Sequence, residues 1–134
     1  MLAELQVPAA PPEVRHWAER PPLWLEVRQA AVPPDHALAL PDAGGREAIA
    51  LAEQLHADVL LMDDLGGRQE AQRRHLKVTG TLTVLFLAAE RGLVQDFPAT
   101  LKQLQETGFR ASPELIQFFL DRYSRLRRTS EETL

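Results

Sequence analysis

The sequence predicts an α/β fold built on a parallel sheet, and three observations carry that reading. Apolar residues recur at helical spacing over residues 45–56, where Ala48, Leu51, Ala52 and Leu55 fall at i, i+3, i+4 and i+7. A short connection leads to Asp58-Val59-Leu60-Leu61-Met62-Asp63-Asp64, whose four consecutive apolar residues have the pattern of a strand buried on both faces. A second helix-like stretch and a second extended piece, Lys77-Val78-Thr79, follow, and a third helix opens directly behind them. Helix, strand, helix, strand, helix is the order a parallel sheet requires, because each parallel neighbour needs a crossover.

Size and composition set the limits. A chain of 134 residues accommodates one domain. Its 45% hydrophobic and 25% charged residues are ordinary for a globular protein and unlike a disordered one. Lys and Arg number 15 against 19 Asp and Glu, a net charge of −4. That balance argues against attachment to nucleic acid through a strongly basic surface and leaves room for a local basic patch. The absence of cysteine excludes a disulfide scaffold, thiolate zinc sites and a cysteine nucleophile. The apolar run over residues 82–89 contains Thr83 and covers about half a bilayer crossing, so no membrane span is expected. No charged region followed by an apolar one opens the chain as a signal peptide would. The expectation is a soluble, cytoplasmic, single domain.

Proline separates two unlike parts, residues 1–43 and 44–128. Eight of the ten prolines fall at or before Pro41, and all seven glycines lie at or after Gly44. Pro8, Pro11-Pro12, Pro21-Pro22 and Pro33-Pro34 forbid a long helix in the first part, since each lacks an N–H and restricts the residue before it. What fits between them is a helical turn over residues 1–5, a short helix over 13–19, and a strand at Leu23-Trp24-Leu25-Glu26-Val27. In the second part, Gly66-Gly67 is expected to break the chain and residues 68–75 to form a polar helix. Thr79-Gly80-Thr81 opens the next helix, with the stripe Leu82, Leu85, Phe86 and Ala89 and its end at Gly92. Two more helices are expected, over 97–107 with Phe97, Leu101 and Leu104, and over 113–127 with Ile116, Phe119, Leu120 and Tyr123. Residues 129–134 are expected to fray.

Ligands of a parallel sheet gather at the carboxyl ends of its strands. Asp63 and Asp64 stand at that position, immediately after the apolar run. Two adjacent carboxylates there, followed by a glycine pair, suit a hard cation such as Mg²⁺ or Mn²⁺, which prefers oxygen ligands. The same pair also suits a plainer role, one aspartate capping the following turn or helix and the other solvated. No Gly-rich phosphate loop and no Gly-x-Ser-x-Gly elbow is present, so nucleotide-driven and triad-hydrolase chemistry have no support.

Several segments together resemble the PIN-domain family. They are Gly44-Gly45-Arg46-Glu47-Ala48-Ile49-Ala50-Leu51-Ala52, the run from Ala57 to Asp64, Gly67-Arg68, Val78-Thr79-Gly80-Thr81-Leu82 and Ala88-Ala89-Glu90-Arg91-Gly92-Leu93-Val94. More narrowly, they are similar to the bacterial branch of predicted nucleic-acid-binding proteins close to VapC-type toxins. The likeness continues through the two C-terminal helices and, more loosely, back through Trp24-Leu25-Glu26-Val27. It implies a three-layer parallel sheet flanked by helices and a cluster of acids binding Mg²⁺ or Mn²⁺ for RNA cleavage. It also implies a cognate antitoxin and a homodimer as partners.

Acid by acid, Asp63 and Asp64 match the family's strand-end acids, and Glu4 resembles its acid on an early helix. The branch writes Gly-Glu ahead of the next helix where this chain has Gly44-Gly45, and Glu47 two positions on is the substitute. The family's first strand and its terminal aspartate have no counterpart, so the resemblance implies an N-terminally truncated PIN-like domain. Three explanations fit: a start codon assigned too late, a decayed relative, or a partner that supplies the strand. The expected function is a toxin-type, metal-dependent endoribonuclease with an incomplete acidic site. The alternative is a catalytically inactive module that binds nucleic acid or antitoxin.

Other residues carry two readings each. Arg68, Arg73, Arg74 and Lys77, offset only by Glu70, either position an RNA backbone or form a solvated helix face. Thr79 and Thr81 are expected to cap the following helix. His16, His36, His56 and His75 lack metal-ligand spacing and are read as structural or surface residues. Trp17 and Trp24 are expected to pack in the core or against the first helices rather than stack on bases. Arg122, Arg125, Arg127 and Arg128 form a basic cluster, read as a solvated helix end or a second RNA contact.

Overall fold

The computed structural model describes residues 2–30 and 43–133. Pro33-Pro34, His36 and Pro41 therefore lie outside the described residues. Contacts gather the chain into two compact units, Met1–Leu60 with Asp64–Val78 and Leu61–Asp63 with Thr79–Leu134.

The first unit holds α1 (Leu2–Leu5), α2 (Pro12–Glu19), α3 (Ala43–Gln54) and α4 (Leu65–Arg73). Pro12 opens α2 at a position where its missing N–H costs no bond. Pro21-Pro22 lie just beyond Arg20, which closes the helix. Gln6 Nε2 donates to the Ala18 carbonyl at 3.2 Å, fastening the exit of α1 to α2. Helix α3 packs on α4, burying Ile49 and Ala52 on one side and Gly67, Glu70 and Ala71 on the other.

Both α3 and α4 end on a histidine in the left-handed region, His56 with φ 49° and His75 with φ 62°. The residue after each reaches back into its helix. Ala57 N–H donates to the Ala52 carbonyl and Leu76 N–H to the Ala71 carbonyl, both at 2.9 Å. This is the Schellman closure, ordinarily built on glycine. Each histidine leads the chain from a helix toward a strand.

Those strands are β1 (Leu60–Leu61) and β2 (Val78–Thr79), the two members of one sheet. Leu60 N–H donates to the Lys77 carbonyl at 2.8 Å in the first unit, and Met62 N–H to the Thr79 carbonyl at 2.9 Å in the second. The offset is the same in both bonds, so the strands run parallel. A helix-rich chain with a small parallel sheet is consistent with the α/β expectation.

The second unit is built by α5 (Thr81–Glu90), α6 (Phe97–Glu106) and α7 (Pro113–Glu132). Leu82, Phe86, Ala89, Phe97, Leu101 and Phe119 form its buried core. The Phe86 ring meets Phe97 edge-on at 5.7 Å and Phe119 at 5.4 Å, the offset geometries that aromatic quadrupoles favour. Asp96 caps α6 by accepting from Ala99 N–H at 2.9 Å, and Ser112 caps α7 by accepting from Leu115 N–H at 3.2 Å. Gly92 and Gly108, with φ of 72° and 96°, make the left-handed exits of α5 and α6.

Several local expectations are corrected. Residues 23–27 form no strand: Leu25 N–H closes a turn onto the Pro22 carbonyl at 3.0 Å, and Trp24 is 78% exposed. Trp17, on α2, is 43% exposed, which removes the core from its two expected settings. Strand β1 spans two residues and leaves Val59 and Leu61 more than half exposed, because an apolar run is buried on both faces only where layers cover both. Gly66-Gly67 does not break the chain but lies in the first turn of α4, where Asp64 caps the Gly67 amide. Toward the C-terminus, α7 continues to Glu132, into the stretch expected to fray.

Candidate metal and nucleic-acid site

Asp63 leaves the end of β1 and closes the start of α5. Gly80, the residue before that helix, has no side chain with which to cap it. Asp63 supplies the missing acceptor: Oδ1 takes the Thr81 backbone N–H at 2.8 Å and Oδ2 takes the Thr81 hydroxyl at 2.5 Å. An anion here also faces the positive end of the helix dipole. Thr81 was expected to act as the cap; it is instead the donor, and the cap comes from a strand earlier in the chain. A glycine directly before an otherwise uncapped helix was the signal that an outside acceptor was needed.

Asp64, next in the chain, caps α4. Its Oδ2 accepts from Gly67 N–H at 2.6 Å. Among the described residues, Asp64 Oδ1 accepts no hydrogen bond. Both aspartates are exposed. One carboxylate therefore organises α5 and its neighbour organises α4, and each keeps lone pairs open to solvent.

The other predicted acids lie on helices of the first unit. Glu4 is exposed on α1 and Glu47 is exposed on α3. Among the described residues, no group of three or more His, Cys, Asp or Glu stands together as a metal cage.

The predicted basic group divides. Glu70, only 8% exposed, takes Arg73 through two bonds, Nε at 2.9 Å and Nη2 at 2.6 Å. It also takes Arg74 Nε at 2.9 Å. Arg74 continues to Glu53 on α3, its Nη1 lying 3.0 Å from Glu53 Oε1. The bonds from Arg73 and then Arg74 outweigh the cost of burial and hold the Glu70 carboxyl down at about 2. Arg74, with 15% of its side chain exposed, is thus a structural clamp between α3 and α4, whereas 63% of the Arg73 side chain still faces water. Arg68 is half-buried on α4, and Lys77 is exposed beside β2. The spacing of Glu70 with Arg73 and Arg74, i+3 and i+4 on one helix, was readable as an ion-pair cluster; Glu53 was not, since it comes from another helix.

An open groove of about 280 Å³ lies between α5 and α6, lined by Thr81, Leu85, Thr100, Gln103, Leu104 and Thr107. Thr81 belongs both to this groove and to the hydrogen bonds of Asp63.

Asp63 and Asp64 thus follow β1, one of the two strands of a small parallel sheet. The sequence pattern described as a PIN domain matches residues 2–125 of the 134, and the chain belongs to the PIN-domain family. PIN domains are generally divalent-metal-dependent and nucleic-acid-binding. No curated protein and no solved structure gives a significant match. Among the described residues, no helix is long and apolar enough to cross a membrane.

Proposed function

We propose that this chain is a toxin-type, metal-dependent endoribonuclease whose metal is held by Asp63 and Asp64. The observation that carries the reading is the succession of two exposed carboxylates just after a strand, one fixed by Thr81 and the other with one oxygen that accepts no hydrogen bond among the described residues. The donor set fits Mg²⁺ or Mn²⁺. Such ions take oxygen ligands, keep several waters, and are commonly bound through only one or two carboxylates. A bound ion lowers the pKa of water and offsets charge on the phosphodiester.

The chain's own residues supply orientation. Thr81 fixes the rotation of the Asp63 carboxylate, as outer-shell partners of metal ligands do. Gly67 does the same for one oxygen of Asp64. Glu47 and Glu4 are the further acids of this reading, and Arg68, Arg73 and Lys77 its phosphate contacts, while Arg74 stays tied to Glu70 and Glu53. RNA is the substrate, and a cognate antitoxin, a homodimer and a bacterial cytoplasmic setting complete it. Residues 1–128 form one PIN-like, three-layer domain in this account.

One observation favours a second reading, an inactive module that binds nucleic acid or antitoxin. Asp63 and Asp64 both serve as helix caps, a sufficient structural reason for their presence. Incubating the purified chain with a mixed RNA pool in Mg²⁺ or Mn²⁺, against EDTA and against Asp64→Asn, separates the two. Metal-dependent cutting abolished by the substitution supports the enzyme. A cooperatively folded chain that cuts nothing supports the binding module.

A further inference from the structure

Helix α7 carries a second feature that the carboxylate pair does not use. Between Arg122 and Arg128 its sequence holds four arginines and no acid, in a chain whose net charge is −4. Among the described residues, no carboxylate pairs with Arg122, Arg125 or Arg127. The nearest acid on the helix, Asp121, accepts instead from Gln117 Nε2 at 2.8 Å. Patches of one sign that survive against an opposite net charge hold their charge locally, where a polyanion can meet it.

An aromatic ring stands within this patch. Phe118 is 51% exposed, one helical turn before Arg122. It is not loose: its ring meets Phe119 edge-on at 5.2 Å, and Phe119 is rooted in the core. The Arg122 guanidinium lies 5.9 Å from the Phe118 centroid and 5.3 Å from that of Phe86. A planar cation and an exposed ring are thus held side by side, with exposed Arg125 one turn further along. Stacking platforms for unpaired bases are built from these two groups, and arginines along the same face meet the backbone.

We infer that the α7 face formed by Phe118, Arg122 and Arg125 is a docking surface for single-stranded RNA. An unpaired base stacks on Phe118 beside the Arg122 guanidinium, and Arg122 and Arg125 take flanking phosphates. The inference rests on the nucleic-acid reading of this chain but not on its metal. A duplex, whose bases are already stacked on one another, offers this surface only its backbone.

The test is equilibrium binding of a short fluorescent oligouridine to the full chain in EDTA, with the same length of RNA duplex and with polyglutamate as comparisons. Phe118→Ala is expected to weaken single-strand binding roughly 10-fold while leaving the duplex unaffected, and Phe118→Trp to restore it. Arg125→Gln is expected to reduce the slope of log affinity against log salt by about 0.7. Arg122→Lys keeps the charge but loses the planar stack, and thermal melting shows whether it still covers Phe86. Single-strand affinity that is indifferent to Phe118→Ala and Arg125→Gln overturns the inference, as does polyglutamate binding as tightly as RNA. Absence of RNA binding by the wild-type chain overturns it too. Cleavage in Mg²⁺ and its loss in Asp64→Asn are read separately, so the failure of one account is distinguishable from the failure of the other.

Discussion

Asp63 takes both hydrogen bonds that Thr81 can give, the backbone N–H at 2.8 Å and the hydroxyl at 2.5 Å. A strand-end acid and a helix start are thereby tied into one piece. The same contact stabilises α5 and sets the direction of a carboxylate proposed to hold metal, so stability and the proposed function meet in one side chain.

Replacing Thr81 by Val removes the hydroxyl and keeps the backbone bond. The expected cost is about 1 kcal/mol of stability, checked by denaturant unfolding. If the contact also orients a metal ligand, metal affinity falls by roughly 10- to 100-fold, more than the stability change alone explains.

The Glu70 cluster predicts a pH dependence. Its carboxyl is held at about 2 in the folded chain, against about 4.3 for an unperturbed glutamate. A depressed carboxyl stabilises fully above its unfolded value and loses that contribution as the pH falls through its folded value. Glu70→Gln is therefore expected to melt at lower temperature than wild type at neutral pH, with the two curves converging as the pH approaches about 2. Thermal melts across that range check it.

His56 and His75 occupy left-handed backbone that glycine adopts without strain. His56→Gly and His75→Gly are each expected to stabilise the chain by about 0.5–1 kcal/mol, and His56→Val to destabilise it. Chemical denaturation of the single variants measures both signs.

The core of the second unit offers a control. Phe119 is 7% exposed and touches Phe86, so Phe119→Ala is expected to cost about 3–5 kcal/mol. Loss of single-strand RNA binding in Phe118→Ala without such destabilisation separates surface from core.

Helices were the most legible part of the sequence. The stripes Leu82-Phe86-Ala89 and Ile116-Phe119-Tyr123 follow the helical period and form or flank one core. Strands were less so: Leu23-Trp24-Leu25 has strand composition, yet composition says nothing about whether a neighbour accepts its hydrogen bonds. Pairing is a long-range property, and a two-residue β1 shows how little of it a local apolar run secures. At the candidate site, the adjacency of Asp63 and Asp64 was visible in the chain. Their division between two helices was not, because the acceptor of Thr81 lies 18 residues before it.

The central claim is that Asp63 and Asp64 bind a divalent cation. Titrating Mn²⁺ into the wild-type chain and into an Asp63→Asn, Asp64→Asn double variant, followed by electron paramagnetic resonance of the free ion, tests it most directly. The account predicts a wild-type binding site that the folded double variant lacks. Equal Mn²⁺ uptake by both proteins, or none by wild type, contradicts it.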